Sequence, residues 1–375
     1  MGIDFAAEGL LDGLQGDDRA TRLELLEQLA ADGISLDELR AATRDGRLLF
    51  VGAERMVSGV PRYSTREVSQ RAGVRPEFVM TLRRANGLPV PDVDAVVCSE
   101  ADIDGAILAR RFLESGVSEE QQLAVVRVLG RGLAQAAEVM RATVLELALE
   151  PGASEAQLAR RIASQIEDFM PMVGPMLEQM ARLHLRHMVR TEAISAAERA
   201  DGTLPGARDV TVAFADLVGF TRLGEAVDAG ELGRVAQRLV GLTVEHLRGD
   251  VRLVKTIGDA AMLVSPDPSA LLEVSLDLVD AADAEGEDFP QLRIGLASGA
   301  ALSRAGDWYG RPVNIASRIT TIARPGSVLA TREVRDAGGN GYRWSSAGAR
   351  SLKGVDEPVR LYRVRRARGE DARAA

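Results

Sequence analysis

The sequence predicts an α+β protein, an all-α first half followed by a ferredoxin-like unit of strands and helices. Three observations predict it. Apolar residues recur at helical spacing through the first 200 positions. Apolar, β-branched runs of strand length begin only after Pro205. From there the order is strand, helix, hairpin, helix, strand, which is the ferredoxin-like order with extensions.

In the first half, Leu10 to Ala31 carries leucines at helical spacing and Gly33 stops it. Ser35 with Glu38 three residues on reads as a capping box opening the next helix. Further helices are expected over 64–72, 76–86, 100–114, 118–148 and 154–200, the last interrupted at Pro171, Gly174 and Pro175. These give an all-helical domain over 1–200. Residues 201–207, with Gly202, Pro205 and Gly206, read as a linker.

In the second half, Val210 to Asp216 reads as a buried strand and Glu231 to Arg248 as an amphipathic helix. Val251–Lys255 and Ala260–Val264 flank an Ile-Gly-Asp turn and form a hairpin. Ser269–Glu285 is a helix, Leu292–Gly299 a strand, Val313–Ile322 a helix and Gly326–Thr331 a short strand, with a last strand pair over Arg350–Val364. This domain spans 208–365, and 366–375 is a tail.

Composition narrows the class. Of the 375 residues, 46% are hydrophobic and only 4% aromatic, so the core is built from Leu, Val, Ile, Ala and Met. A net charge of −9 argues against a free-standing nucleic-acid binder, which needs a basic face. The single cysteine, Cys98, excludes an intramolecular disulfide and a cysteine-based metal site, and points to a reducing, cytoplasmic setting. No signal peptide and no transmembrane run of about 18 apolar residues is seen, so any membrane contact is expected to be peripheral.

Three clusters carry chemistry. In Phe214-Ala-Asp216-Leu-Val-Gly-Phe220-Thr221, a carboxylate ends a buried strand and a turn follows whose amides can meet phosphate oxygens. Lys255-Thr-Ile-Gly-Asp259 places a cation and a second carboxylate at a hairpin. In Asp307-Trp-Tyr-Gly-Arg-Pro-Val-Asn314-Ile-Ala-Ser-Arg318, an amide and a guanidinium four residues apart share one helix face. Singly, each has a plainer reading: a turn, a surface lysine, a solvated helix face.

In this order and spacing the clusters resemble the class III nucleotide cyclase catalytic domain, over essentially all of 208–365. The resemblance implies that Asp216 and Asp259 bind two divalent metals, Mg²⁺ or Mn²⁺. It implies that Lys255 and Asp307 read the purine, that Asn314 and Arg318 stabilise the transition state, and that Lys353 binds the triphosphate. All seven positions are filled. The reaction implied is attack of the ribose 3′-oxygen on the α-phosphorus of ATP, giving cyclic AMP and pyrophosphate. Two metals suit activation of the attacking oxygen and neutralisation of the leaving group, and a bidentate guanidinium suits charge on the α-phosphoryl group. Adenine offers an N6 donor and an N1 acceptor, which Asp307 and Lys255 complement. No histidine lies in these motifs, so no protein general base is assigned. In the family, metals come from one chain and base and transition-state residues from another, so a homodimer with two sites is implied.

The first half resembles the helical regulatory region of soluble actinobacterial cyclases, which gates the catalytic dimer, in some members by pH or lipid. Two features fit such a role. His184 and His187 lie on the last long helix, and histidine titrates near neutrality. Met170, Met172, Met176, Met180 and Met188 make adaptable apolar surface for an acyl chain or a dimer core. Plain surface histidines and core packing are the simpler accounts. Residues 63–89 resemble the helix-turn-helix of MerR-type regulators, with Ala72-Gly73-Val74 as the turn. Acidic surroundings favour a packing role over DNA binding. Two other readings compete: a catalytically dead cyclase fold used as a binding module, and a DNA-binding regulator with a nucleotide-sensing domain.

Overall fold

The computed structural model describes residues 3–191, 206–338 and 341–367. The chain divides into two compact units, Met1–Ala193 and Ile194–Ala375. Most of the expected linker, 201–205, and the tail from 368 lie outside the described residues.

The first unit holds α1 (Gly16–Ala31), α2 (Leu36–Arg44), α3 (Val51–Ser58), α4 (Thr65–Ala72), α5 (Pro76–Ala85), α6 (Glu100–Glu114), α7 (Glu119–Ala148) and α8 (Glu155–Thr191). The capping box forms as expected: the Ser35 amide donates to Glu38 Oε2 at 2.9 Å while the Ser35 hydroxyl accepts from the Glu38 amide. The first helix starts six residues later than the leucine pattern suggests. Gly9, Gly13 and Gly16 all take positive φ, so residues before Gly16 turn instead, and Leu10 and Leu11 still reach the core.

Two further differences stand out. The short strands β1 (Tyr63–Ser64) and β2 (Val96–Cys98) pair antiparallel around the α4–α5 turn, so the unit is not purely helical. And α8 runs unbroken through Pro171 and Pro175. Each proline removes one backbone donor, but the rest of a 37-residue helix supplies propagation at little cost. Only the first part of α8 is buried, through Ala156, Ala159 and Ile162. Beyond it Met170, Met172, Met176, Met180 and Met188 stand 38–58% exposed, so they are not core within one chain. His184 and His187 are exposed on the same stretch.

The second unit holds β3 (Arg208–Leu217), α9 (Phe220–Ala226), α10 (Ala229–Glu245), β4 (Arg252–Ile257), β5 (Ala260–Ser265), α11 (Pro268–Ala284), β6 (Leu292–Arg304), β7 (Asp307–Tyr309), α12 (Arg311–Ile322), β8 (Ser327–Thr331), α13 (Arg332–Ala337), β9 (Tyr342–Arg350) and β10 (Val359–Arg366). The sheet order is β4-β5-β3-β6-β8-β10-β9, with β7 folded back on β6. Counting β3 to β6 as the first four strands gives the 4-1-3-2 order of a ferredoxin-like unit. β6 and β8 are parallel; every other neighbouring pair is antiparallel.

Alternation along β3 assigns the two faces of the sheet. Ala213, Ala215 and Leu217 join Leu239 and Leu242 of α10 and Leu271 to Ala282 of α11 in one core. Val210, Val212 and, at its edge, Phe214 face the other way, with Ile315, Ala316 and Ile319 of α12. Asp216 continues that second series and so lies on the α12 face. Among the described residues no helix is long and apolar enough to cross a membrane.

Candidate active site

Asp216 ends β3 one residue before the chain leaves the sheet, opposite Ala260 on β5 and Arg293 on β6. The β4–β5 turn brings Asp259 alongside, because the Leu217 amide donates to the Asp259 carbonyl at 3.1 Å. Gly258 makes that turn possible with φ of 60°, a left-handed conformation that a side chain resists. Burial pushes the Asp259 carboxyl above the ordinary carboxylate range. Its own backbone amide pulls it down, the Asp216 charge pushes it up, and Arg293 pulls it down again.

Two carboxylates held close in partly dry surroundings form a seat for a hard divalent cation. Among the described residues no cluster of three or more His, Cys, Asp or Glu side chains is drawn together. Asp216 and Asp259 could give a cation two carboxylates, leaving the rest of its shell to water and phosphate oxygens, a ligand set that suits Mg²⁺ or Mn²⁺.

Arg293 was not a candidate from sequence. Its Nε donates to Asp216 Oδ2 at 2.7 Å and a terminal nitrogen lies 2.5 Å from the same oxygen. A signal existed: one charge between Leu292 and Ile294, both fully buried, at the start of an apolar strand.

The second group is Lys255 and Asp307. Lys255 pairs in register with Met262, which pairs with Phe214, so it lies on the α12 face, two strands from β3. β7 returns Asp307 toward it, and Lys255 Nζ donates to Asp307 Oδ2. The other oxygen, Oδ1, accepts the Trp308 amide at 2.8 Å, which fixes the carboxylate plane. Both side chains remain partly open to solvent, at 37% and 28%.

The third group is on α12. Ile315, Ala316, Ile319 and Thr320 are buried against the sheet, while Asn314 and Arg318 are exposed on the opposite side of the helix. α12 lies very close to β6: a Cβ added at Gly295 would stand 2.5 Å from the Thr320 nitrogen and 2.7 Å from the Ala316 oxygen. Lys353 is exposed in the β9–β10 connection. Phe220 and Thr221 open α9; Phe220 packs on the α10–α11 core and Thr221 is exposed. One chain thus joins Asp216 to Asp259 and Lys255 to Asp307. It turns Asn314 and Arg318 away from the sheet that carries both pairs.

Residues 3–189 match the family described as "Adenylate cyclase regulatory domain", and 204–365 match "Adenylate and Guanylate cyclase catalytic domain". The chain is 48% identical over 371 residues to a pH-sensitive adenylate cyclase of Mycobacterium tuberculosis, covering 97% of this chain and 92% of that protein. It is 33% identical to an adenylate cyclase of Glutamicibacter nicotianae (74% and 72% covered) and 32% identical to one of Streptomyces coelicolor (75% and 71%). On these findings the chain belongs to the adenylate cyclases, a cyclase catalytic domain preceded by an adenylate cyclase regulatory domain.

Proposed function

We propose that the chain converts ATP to 3′,5′-cyclic AMP and pyrophosphate at two sites, each shared between the two chains of a homodimer. The observation that carries this reading is the split geometry: Asp216 and Asp259 gathered on one face, Asn314 and Arg318 turned outward. Outward-turned groups serve a partner's carboxylates more readily than their own.

In this reading one chain supplies Asp216 and Asp259. These two carboxylates would hold divalent cations, which would supply Lewis acidity to the attacking and leaving oxygens. The partner chain supplies the rest. Asp307 accepts from the adenine N6 amino group and Lys255 donates to N1, a donor and an acceptor already held side by side. Asn314 orients the ribose, and Arg318 meets the charge that builds on the α-phosphoryl oxygens. The partner's Lys353 binds the triphosphate, while the backbone amides around Phe220 and Thr221, which follow Asp216 on the metal-holding chain, face phosphate oxygens. No histidine adjoins these residues in sequence, so the 3′-hydroxyl proton passes to water or to a substrate phosphate.

The first unit acts as the gate. The exposed methionine stretch of α8 is unsuited to solvent and suits a dimer core, or an acyl chain that takes its place. A relative described as pH-sensitive supports control by pH, and lipid is the second candidate signal. DNA falls outside this reading, since Arg66 and Arg75 of the helix-turn-helix-like segment are engaged by Asp94 and Glu119.

The test is direct. The full chain with ATP and Mn²⁺ should release cyclic AMP and pyrophosphate in equal amounts. Asp216→Asn and Asn314→Ala should each abolish both products, and retention of activity in either would refute the assignment.

A further inference from the structure

Arg293 has two kinds of partner. Its Nε and a terminal nitrogen both meet Oδ2 of Asp216, at 2.7 and 2.5 Å, and its other terminal nitrogen donates to the Thr321 carbonyl at 3.2 Å. Thr321 lies in the last turn of α12, the end of a helix where backbone carbonyls run short of amide partners. One guanidinium therefore ties a metal-seat carboxylate to the C-terminal end of the helix that carries Asn314 and Arg318.

We propose that Arg293 is a positioning residue that holds Oδ2 of Asp216 until divalent cations claim both carboxylate oxygens, and that its release unties α12 of the same chain. This rests on the reading of Asp216 as a metal ligand. Divalent cations held by Asp216 and Asp259 would compete for the Asp216 oxygen that the guanidinium occupies. Cation and guanidinium repel each other, so a bound cation weakens the guanidinium's hold on that oxygen. In a homodimer with shared sites, the Asp216 of a chain belongs to one site and its α12 to the other. Loading metal at one site then loosens the transition-state helix of its neighbour. The two sites are thereby coupled through a single side chain, without movement of the sheet.

The test uses the full chain without nucleotide. Mn²⁺ binding is read from the loss of the free-ion electron paramagnetic resonance signal, and the exchange of the α12 amides by hydrogen–deuterium mass spectrometry. Arg293→Gln should lower the Mn²⁺ concentration at half-saturation by about three- to fivefold, the scale of a partly exposed ion pair. In the wild type Mn²⁺ should speed exchange in the last turn of α12. In Arg293→Gln that turn should already exchange fast, with no further response to Mn²⁺. Arg293→Lys keeps the charge but cannot reach Oδ2 and Thr321 together, so it should also show fast exchange before metal is added; it carries the test if the Gln variant does not fold. Unchanged or weaker Mn²⁺ binding in Arg293→Gln, or a last turn indifferent to Mn²⁺ in the wild type, would overturn the proposal. Asp216→Asn separates the two readings. It should abolish Mn²⁺ binding; if it bound Mn²⁺ like the wild type, the metal assignment itself would fall, and the inference with it.

Discussion

Lys255 and Asp307 are 52 residues apart, yet the lysine ammonium donates directly to the aspartate carboxylate. A short return strand makes this possible: β7 pairs Arg304 with Asp307 and brings the chain back along β6. The pair presents a donor and an acceptor in one place, which in the proposed reading meet the edge of adenine. Each single substitution, Lys255→Ala or Asp307→Ala, is expected to lower kcat/KM for ATP about 10- to 100-fold, the worth of hydrogen bonds to charged groups. The double variant Lys255→Glu with Asp307→Cys should lose preference for ATP. ATP turnover unchanged in the double variant would refute the base-reading role.

The contact between α12 and β6 admits only glycine at position 295, because an added Cβ would meet backbone atoms of Ala316 and Thr320. Gly295→Ala is expected to cost about 1–3 kcal/mol of stability through overpacking. It should also displace Asn314 and Arg318, so activity should fall further than stability explains. Thermal melting and turnover at a temperature well below the melting point separate the two effects.

Cys98 is buried beside Thr65, and burial pushes its thiol up, with the Asp102 charge adding to the shift. The native protein should therefore resist alkylation by iodoacetamide at pH 8 and react fast once denatured. The charged form is the one disfavoured in the fold. Stability tied to Cys98 is thus present below the unfolded thiol pKa of about 8.5 and is lost as pH rises above it. Rapid labelling of the native chain at pH 8 would contradict the burial.

The methionine stretch of α8 is exposed within one chain. If it lines the dimer core, Met176→Lys with Met180→Lys should shift the chain toward monomer in analytical ultracentrifugation and lower activity with it. A fully dimeric double variant would move the interface elsewhere.

Much of this was legible in the sequence, for identifiable reasons. Most strand and helix positions after Pro205 followed from periodicity, because those elements bury one face, but β9 begins at Tyr342, eight residues before the expected last strand pair, and α9, β7 and α13 are too short or too exposed to leave such a pattern. Ser35 and Glu38 signalled a helix start by local chemistry alone. Other features were not legible. Prolines 171 and 175 argue locally for a break, but helix propagation on both sides overrides them. The leucines at 10 and 11 look helical, yet three positive-φ glycines shape the chain before Gly16 into turns that bury them without a helix. Arg293 gained its meaning only from register, since nothing along the chain places it opposite Asp216. Assigning seven residues to one site rests on the family resemblance, while the outward turn of Asn314 and Arg318 comes from the packing of α12.

Mixing Asp216→Ala with Asn314→Ala protein tests the shared site most directly. Each variant alone should be inactive. In an equal mixture half the dimers pair unlike chains and each of these keeps one intact site, so about a quarter of wild-type activity should return. A mixture no more active than the sum of its parts, with subunit exchange verified, would contradict a site built from two chains.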